Sequence, residues 1–248
     1  MKPIYSFIGK SVFLEKEKIL VIGDLHFGYE EGIVNRGGFL QFGVYDKIKE
    51  ELEKIFGFLD KQKKGVKEIV ILGDLKHEFS GILKEEEREI IKFIEYLKEK
   101  CAKNCKIVLV KGNHDNYAYG VLKKMGIDIV ESLIIKENLF IHGDELLSEM
   151  KKIGKNMNHV FLGHIHPCVV LEKKVRKEKY KCFLVGKFKG KKIIILPSFF
   201  PLVEGREISC IDDFDNKMDL KNFVVYAVVP DSIEVLEMGK GRALNFPV

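Results

Sequence analysis

Six of the seven histidines in this sequence fall in five short polar clusters, each at the end of an apolar run. The clusters are GDLH at 23–26, GDLKH at 73–77, GNHD at 112–115, HGD at 142–144 and GHIH at 163–166. In open α/β sheets, the loops at the carboxyl ends of the strands meet in one crevice. We therefore expect imidazole, carboxylate and amide side chains from distant parts of the chain to share one site.

The side chains in these clusters are those of a transition-metal site. One cluster alone is more typical of a capped turn or a surface loop, but five that follow five strands favour metal ions, which satisfy buried imidazoles and carboxylates directly. Ligands of this type without thiolate favour Mn²⁺, with Fe²⁺, Zn²⁺ or Ni²⁺ also compatible, over Ca²⁺. The ligands are too many for one ion, and two divalent ions about 3.5–4 Å apart are typical of phosphoryl-transfer sites. With Asp24 and Asp74 as the only anionic ligands, the site stays positive and favours an anionic substrate.

The chain between these clusters alternates between short apolar runs and amphipathic segments, which is typical of βαβ units. Apolar residues recur every three or four positions from Tyr45 to Leu59 and from Ile90 to Leu97, which predicts two helices that each bury one face. Buried strands are predicted at 18–22, 68–72, 106–110, 138–141 and 158–162. From about residue 168 the helical period ends, and strands are predicted at 183–185, 191–196, 223–229 and 233–236. The fold class is therefore α/β with extra β-strands in the C-terminal third.

Length and composition narrow the class of protein. The 248 residues, 46% of them hydrophobic, fit either one large α/β domain or two small ones, and we favour one domain over 1–248. No run approaches the roughly 18 apolar residues of a membrane helix, and no signal-like apolar region follows the N-terminus. We expect a soluble, cytoplasmic protein without a membrane partner. The five cysteines lack CxxC spacing, which indicates reduced thiols rather than disulfides or a zinc ribbon.

Positive charge is concentrated in one segment, residues 172–192, which holds ten Lys or Arg residues and two Glu. The net charge of +5 is too small to indicate nucleic-acid binding by itself. Exposed edge hairpins commonly carry lysines that oppose aggregation, and this explains the segment without any ligand. Contact with nucleic acid is the alternative. The connection from 197 to 221 is long for a compact domain and indicates an ordered loop near the site.

The five clusters together resemble the motifs of the calcineurin-like metallophosphoesterase superfamily. Its pattern D-x-H, G-D-x-x-[DH], G-N-H-[DE], H and G-H-x-H is present in order between residues 23 and 166. The resemblance implies a four-layer sandwich of two mixed β-sheets flanked by helices, with a dinuclear site at the sheet ends. It also implies the ligands: Asp24, His26 and His166 for one metal, Asn113, His142 and His164 for the other, and Asp74 as the bridge.

His114 is the histidine of the third motif that the resemblance leaves without a metal. The resemblance implies that His114 protonates the leaving-group oxygen while Asp115 orients the imidazole. A neighbouring carboxylate favours the protonated imidazole, whose proton is then available near neutral pH. The implied nucleophile is a hydroxide that bridges the two ions, because they lower the pKa of bound water.

Two further residues are assigned through likeness to a narrower group. GDLKH has His77 where many superfamily members have Asp, and is similar to the DNA double-strand-break repair nucleases and to the ligase-associated DNA-damage-response endonucleases, in which this histidine lies near the scissile phosphate. The alternative is that His77 only caps the turn. The stretch DLHFGYEEGIVNRGGFLQF also resembles the ligase-associated group, and Arg36 within it either faces the substrate or is a surface residue. His159 and Asp144 match no ligand position and are interpreted as structural.

The sequence thus favours a dinuclear phosphodiesterase that acts on nucleic acid, as a nuclease of the DNA-repair type with DNA as its substrate. The second hypothesis is a phosphodiesterase for small molecules such as cyclic nucleotides or nucleotide esters, since no separate nucleic-acid-binding domain is evident. The third is a non-catalytic scaffold, like the retromer subunit that shares this fold. The complete set of ligands and His114 argue against a scaffold. No motif identifies a protein partner.

Overall fold

The N-terminal half of the chain builds a six-stranded mixed sheet. The computed structural model describes residues 4–39, 42–145, 156–173, 176–211 and 218–244. The strands of this first sheet are β1 (Tyr5–Ile8), β2 (Ser11–Leu14), β3 (Ile19–Ile22), β4 (Glu68–Leu72), β5 (Lys106–Val110) and β6 (Asp128–Val130), in that spatial order. β1 to β3 are antiparallel neighbours, whereas β3 to β6 run parallel. Four parallel strands, β3 to β6, therefore end at the same edge, and the first three are followed by polar clusters.

Helices cover the outer face of this sheet. They are α1 (Tyr29–Asn35), α2 (Val44–Lys61), α3 (Lys84–Lys100) and α4 (Tyr119–Lys124). The apolar positions of α2 and α3 that recur at helical spacing, such as Ile48, Leu52, Ile90 and Ile94, are buried against the sheet. Both amphipathic helices predicted from the sequence are confirmed. No helix among the described residues combines the length and the apolar character that a membrane span requires.

The second sheet is mixed and has nine strands. They are β7 (Leu133–Ile135), β8 (Asn138–Ile141), β9 (His159–Leu162), β10 (Pro167–Lys173), β11 (Arg176–Phe188), β12 (Lys191–Ile195), β13 (Arg206–Glu207), β14 (Val224–Val228) and β15 (Val235–Lys240). The order is β13-β10-β11-β12-β9-β8-β7, and β14 pairs with both β11 and β15. β8, β9 and β12 are parallel, so their carboxyl ends also share one edge. Short 3-10 helices lie at Ile208–Cys210, Leu220–Asn222 and Gly241–Ala243.

The two sheets pack face to face through large apolar side chains. Leu72 and Val110 of the first sheet share a buried cluster with Phe140, Phe161 and Phe183 of the second. Each such side chain contributes about 1.5–3 kcal/mol when it is fully buried. The outer face of the second sheet packs against apolar residues around the 3-10 helices, including Ile208 and Leu220. The predicted class of fold, two mixed sheets flanked by helices, is confirmed.

Strand positions agree closely with the sequence predictions in the regions that hold the clusters. Predicted strands 68–72, 106–110 and 138–141 match β4, β5 and β8, and extra strands fill the C-terminal third as expected. Six strands were not predicted from the sequence, namely β1, β2, β6, β7, β10 and β13. Most of these strands are four residues or shorter, and they form because a neighbouring strand offers hydrogen bonds rather than because of a strong local pattern.

The basic segment 172–192 is divided between opposite ends of the second sheet. Leu162 of β9 and Leu184 of β11 both pair with Ile195 of β12, and the cluster GHIH directly follows Leu162. The part of β11 before Leu184 therefore extends beyond the edge that carries the site. The turn between β11 and β12, with its lysines from Lys187 to Lys192, lies at the other end. The segment is two hairpins rather than one edge hairpin.

Candidate metal centre

The five polar clusters lie together where the parallel strands of both sheets end. Within the first sheet, Asp24 N–H donates to the Gly73 carbonyl at 3.0 Å. Within the second, Gly163 N–H donates to the His142 carbonyl at 3.0 Å. The two sheets are joined at this edge because His164 N–H donates to Asp24 Oδ1 at 3.1 Å. The convergence that was expected from strand order is present.

Five of the seven expected ligands have a left-handed backbone. The φ angles are 55° for Asp24, 52° for His26, 49° for Asp74, 62° for His164 and 49° for His166. Non-glycine residues adopt this region rarely, and each instance costs on the order of 1–3 kcal/mol. Such strain persists where the surrounding structure holds it and is concentrated at functional sites.

Two of the glycines in these clusters are required by close packing. A Cβ at Gly112 would overlap the Asp74 carboxylate, and a Cβ at Gly73, whose φ is 73°, would overlap the His142 ring. Both contacts involve atoms of expected ligands, so a side chain at either position would displace a ligand. This is the physical reason for glycine at the start of the GDLKH and GNHD clusters.

The first group of donors comprises Asp24, His26, Asp74 and His166. One ligand atom of each lies within 4.8 Å of the others. His166 Nε2 is 3.0 Å from Asp24 Oδ1, and His26 Nε2 is 3.7 Å from Asp74 Oδ2. All but His166 are buried, and Asp24 is fully inaccessible.

The second group comprises Asp74, His142 and His164, again with ligand atoms within 4.8 Å of one another. His142 Nδ1 is 2.9 Å from the Leu72 carbonyl, which makes Nδ1 the donor and places the lone pair of the neutral ring on Nε2. That Nε2 faces Asn113 Oδ1 at 3.2 Å, Asp74 Oδ2 at 3.4 Å and His164 Nδ1 at 3.1 Å. Asp74 belongs to both groups, as a bridging ligand must.

The electrostatics of the two groups fit bound cations. Burial opposes a charge on His142, but the hydrogen bond and charge of Asp74, with the charge of Asp24, raise the pKa of His142 to about 10. The carboxylates thus favour a positive charge at Nε2, which a proton or a metal ion can supply. Burial also disfavours ionised Asp74, yet His142 and His26 hold the pKa of its carboxyl well below the ordinary range. Within the described residues the buried Nδ1 of His26 makes no hydrogen bond, and the buried Nε2 of His166 lies against Asp24 Oδ1. Buried acceptor atoms that face one another with no donor between them are destabilising, and a divalent cation that coordinates them removes this cost.

His114 lies beside the first group without being needed as its ligand. Its ring centroid is 4.9 Å from that of His26. The Nδ1 atom is 2.5 Å from the His77 carbonyl, and the backbone N–H donates to Asp74 Oδ1 at 3.0 Å. The exposed Phe79 ring covers His114, with 3.7 Å between centroids. His114 is therefore held by contacts with the GDLKH loop and the residue two positions beyond it.

Asp115, which was expected to orient the His114 ring, contacts main-chain groups of two ligand loops. Its Oδ1 accepts the backbone N–H of Leu75 at 2.9 Å, and its Oδ2 accepts that of Gly112 at 2.8 Å. Burial, together with the charge of Asp74, raises the pKa of Asp115 to about 7. Within the described residues Asp115 makes no hydrogen bond with the His114 ring. The Asp115 side chain points into the protein and joins the GDLKH and GNHD loops through these two hydrogen bonds. The side chain of His114 points into the site instead.

His77 lies at the site, and Arg36 lies near it. The His77 ring stacks on that of His114 at 5.4 Å and packs against Tyr29 at 4.7 Å. Burial, with the charges of His114 and Arg36, lowers the pKa of His77 to about 4. Arg36 is exposed and ends α1. His77 therefore lies on the His114 side of the centre, and Arg36 is close enough for its charge to act on His77.

The two residues interpreted as structural are separate from the donors. His159 begins β9, at the end opposite the site, and lies edge-on to Tyr5. Asp144 is exposed, two residues after His142. Neither belongs to a group of donors among the described residues.

An ordered loop near the site was expected at 197–221, but none of its residues was predicted to fix the Asp24 loop. Ser198 Oγ and Phe200 N–H both donate to the Asp24 carbonyl, at 2.9 and 3.0 Å. Lys181 Nζ in turn donates to the carbonyls of Ser198 and Phe200. β12 ends just before this segment and is parallel to β9. The rule that parallel strands end at one edge, applied to β12, would therefore have predicted this segment at the site. The connection 197–221 does contact the site, while its residues 212–217 lie outside the described residues.

Comparison with known proteins gives a family and a fold. The family model for calcineurin-like phosphoesterases matches residues 17–221. The nuclease MPE of Pseudomonas putida is similar over 94% of this chain and 100% of its own, with a TM-score of 0.61 and 20% identity.

Weaker structural matches include Vps29 from Entamoeba histolytica complexed with Zn²⁺, over 89% of this chain and 98% of its own at 15% identity and a TM-score of 0.40. Another is a metallophosphoesterase from Sphaerobacter thermophilus, over 90% of this chain and 88% of its own at 13% identity and a TM-score of 0.36. No curated protein sequence matches the chain significantly. At these identities the structural likeness concerns the fold alone.

Proposed function

Because this chain belongs to the calcineurin-like phosphoesterase family and is a metal-dependent phosphoesterase, we propose that it hydrolyses phosphodiester bonds in nucleic acid at the Asp24–His166 site. The observation that carries the proposal is the pair of donor groups that share Asp74. We assign Asp24, His26 and His166 to one ion, Asn113, His142 and His164 to the other, and Asp74 to both.

Two divalent ions bound there would activate the attacking water and neutralise charge on the phosphate, as two-metal sites do. Mn²⁺ is our proposed ion because imidazole, carboxylate and amide donors suit it, with Fe²⁺, Zn²⁺ or Ni²⁺ as compatible alternatives. The Leu72 carbonyl contributes by fixing the tautomer of His142, so that Nε2 keeps its lone pair for a metal.

His114 is the proposed general acid. Its Nδ1–H is engaged by the His77 carbonyl, which leaves Nε2 to carry the proton that the departing oxygen receives. The Phe79 ring covers one face of His114 and restricts its rotation. His77, stacked on His114 and close to the charge of Arg36, is proposed to line the place where the phosphodiester lies, with Arg36 as an additional anion contact.

Nucleic acid is favoured over small phosphodiesters by the placement of basic residues. The β10–β11 hairpin starts directly after His166 and extends beyond the edge of the sheet that carries the site. Lys177 and Lys179 lie on the extending part of β11. A chain with many phosphates could contact these lysines while one of its bonds lies at the metal centre, whereas a single small diester could not reach them.

A substrate panel tests this function. The protein is incubated with Mn²⁺ and, in parallel, single-stranded DNA, duplex DNA, 2′,3′-cyclic nucleotides and bis-p-nitrophenyl phosphate, beside His114→Ala prepared identically to exclude contaminating activity. We expect cleavage of DNA at a kcat/KM well above that for cyclic nucleotides. Hydrolysis of cyclic nucleotides with DNA left intact would replace nucleic acid by a small-molecule substrate. Lack of hydrolysis of every compound would refute the enzyme assignment.

A further inference from the structure

An open recess of about 340 Å³ adjoins the first group of metal ligands. Its lining residues are His164, Ile165, His166, Val203, Gly205 and Arg206. Neither His77 nor His114 lines it, so the recess begins on the side of the first donor group that His166 forms. A polymeric substrate that reaches the metals must continue beyond them, and this recess is a space into which it can continue.

The backbone of Arg206 is anchored to the ligand loop. Its N–H donates to the His166 carbonyl at 2.7 Å, and it pairs with Pro167 at the start of β10. Gly205 has a φ of 116°, and a Cβ there would overlap the same carbonyl, so the chain passes directly against His166. The position of Arg206 relative to the metal site is therefore fixed by main-chain contacts rather than by a flexible loop.

The side chain of Arg206, in contrast, is exposed and available. Glu207, the acidic residue next to it, pairs with Lys179 at 2.8 Å. None of the acidic side chains in the described part of the chain forms an ion pair with Arg206. A guanidinium presents five N–H donors in a planar fork that matches phosphate oxygens, and it stays charged at every physiological pH.

We propose that Arg206 binds the phosphate that neighbours the scissile phosphate in a polynucleotide. This inference rests on the proposed function and narrows its substrate to chains that contain consecutive phosphodiesters. With the scissile phosphate at the metals, the neighbouring phosphate lies in the recess beside His166, and the strand continues along the β10–β11 hairpin. A diester with a single phosphate leaves Arg206 without a ligand.

Kinetics on substrates of different length test the proposal. Arg206→Ala, Arg206→Lys and the wild type are compared on bis-p-nitrophenyl phosphate, on the dinucleotide TpT, and on an oligothymidylate. For Arg206→Ala we expect a loss in kcat/KM of about 10- to 100-fold on the oligothymidylate, as for a lost charge-assisted hydrogen bond, and no change on the two substrates with one phosphate. Arg206→Lys keeps the charge but loses the fork, so its loss should be smaller.

The control variant is Lys187→Ala, which removes one positive charge at the end of the sheet opposite the site and should leave all three substrates unaffected. A labelled oligothymidylate and the His114→Ala background give a binding readout without turnover. There, Arg206→Ala should weaken binding and reduce the dependence of log K on log salt by about 0.7. Melting temperature and metal content identify any variant that is misfolded.

The possible outcomes distinguish the role of Arg206 from the proposed nuclease function on which it rests. If the wild type cleaves the oligothymidylate but Arg206→Ala is unchanged, or loses activity equally on all three substrates, the role of Arg206 is refuted while the nuclease function stands. If the wild type hydrolyses only the substrates with one phosphate, the proposed nucleic-acid function itself fails, and the role of Arg206 fails with it.

Discussion

The carbonyl oxygen of His77 lies 2.5 Å from Nδ1 of His114, so one histidine of the centre fixes the ring of another through its main chain. The contact determines the tautomer of His114 and directs Nε2 toward the site. It also joins the GDLKH and GNHD loops, which are otherwise connected through Asp74 and Asp115. The orientation of the proposed general acid therefore depends on the conformation of the GDLKH loop.

Replacement of His114 separates proton transfer from metal binding. His114→Ala should reduce kcat by about 10²–10⁴-fold because the departing oxygen is no longer protonated. Metal content, measured by plasma mass spectrometry, should stay at the wild-type value because the ligand atoms are unchanged. The remote His159→Gln is the matched histidine control. An unchanged rate in His114→Ala would remove His114 from the mechanism.

Asp115 should affect stability more than it affects the proton donor. In Asp115→Asn an amide N–H faces the backbone N–H of Gly112 or of Leu75, which leaves buried donors unpaired. Such a loss costs about 1–3 kcal/mol in the free energy of unfolding, which urea titration measures. His114→Ala removes no buried partner of this kind and is the comparison. If Asp115→Asn shifted the pH profile of kcat without a loss of stability, Asp115 would instead act on His114.

Metal stoichiometry should distinguish the shared ligand from an unshared one. Asp74→Asn weakens both sites, so we expect about two ions fewer per chain, whereas Asn113→Ala should weaken only the second site. Removal of metal by a chelator should also lower the melting temperature, since free metal at 100 times its Kd contributes about 2.7 kcal/mol. Equal metal contents in the two variants would contradict the bridging role of Asp74.

Lys181 should make stability depend on pH. Burial, with the charge of Lys10, lowers its pKa in the folded protein to about 7, while the unfolded chain keeps the ordinary value near 10.4. Between these values the unfolded state binds more protons, so the contribution to the free energy of unfolding rises as the pH increases from about 7 to 10.

Urea titrations of the wild type and of Lys181→Met at pH 7 and pH 9.5 measure this contribution as the difference between the two proteins. We expect the wild type to gain stability relative to Lys181→Met at the higher pH. Lys187→Met, which changes an exposed lysine, should show no such gain. A constant difference at both pH values would mean that Lys181 titrates normally in the folded state.

The two ends of the second sheet should differ in their effect on nucleic-acid binding. Replacing both Lys177 and Lys179 by alanine should reduce the slope of log K against log salt by up to about 1.4 for a single strand, at about 0.7 per phosphate contact. Replacing Lys187 and Lys189, at the opposite end, is the charge-matched control and should leave the slope unchanged. Equal effects of the two double variants would show that only net charge matters.

The sequence alone determined the kind of chemistry and the elements that carry it. Apolar runs such as 106–110 are strongly patterned, and five polar clusters that follow five such runs favour a metal site, although one cluster alone would not. Parallel strands share an edge, so the meeting of Asp24, Asp74 and Asn113, which follow β3, β4 and β5 of one sheet, follows from the order of elements. Local pattern and strand direction suffice for these conclusions, because neither depends on the detailed packing between sheets.

Only the tertiary structure decided the partners of individual side chains. Asp115 is adjacent to His114 in the chain, yet its partners are the main chains of Gly112, Leu75 and Lys76, because successive side chains point to different sides of a turn. The register of β11 against β12 divides the basic segment between two ends of a sheet. The pairing of β13 with β10 brings Arg206 beside His166, 40 positions away in the chain. Such relationships arise from hydrogen bonds between strands that are distant in sequence, and local sequence patterns do not determine them.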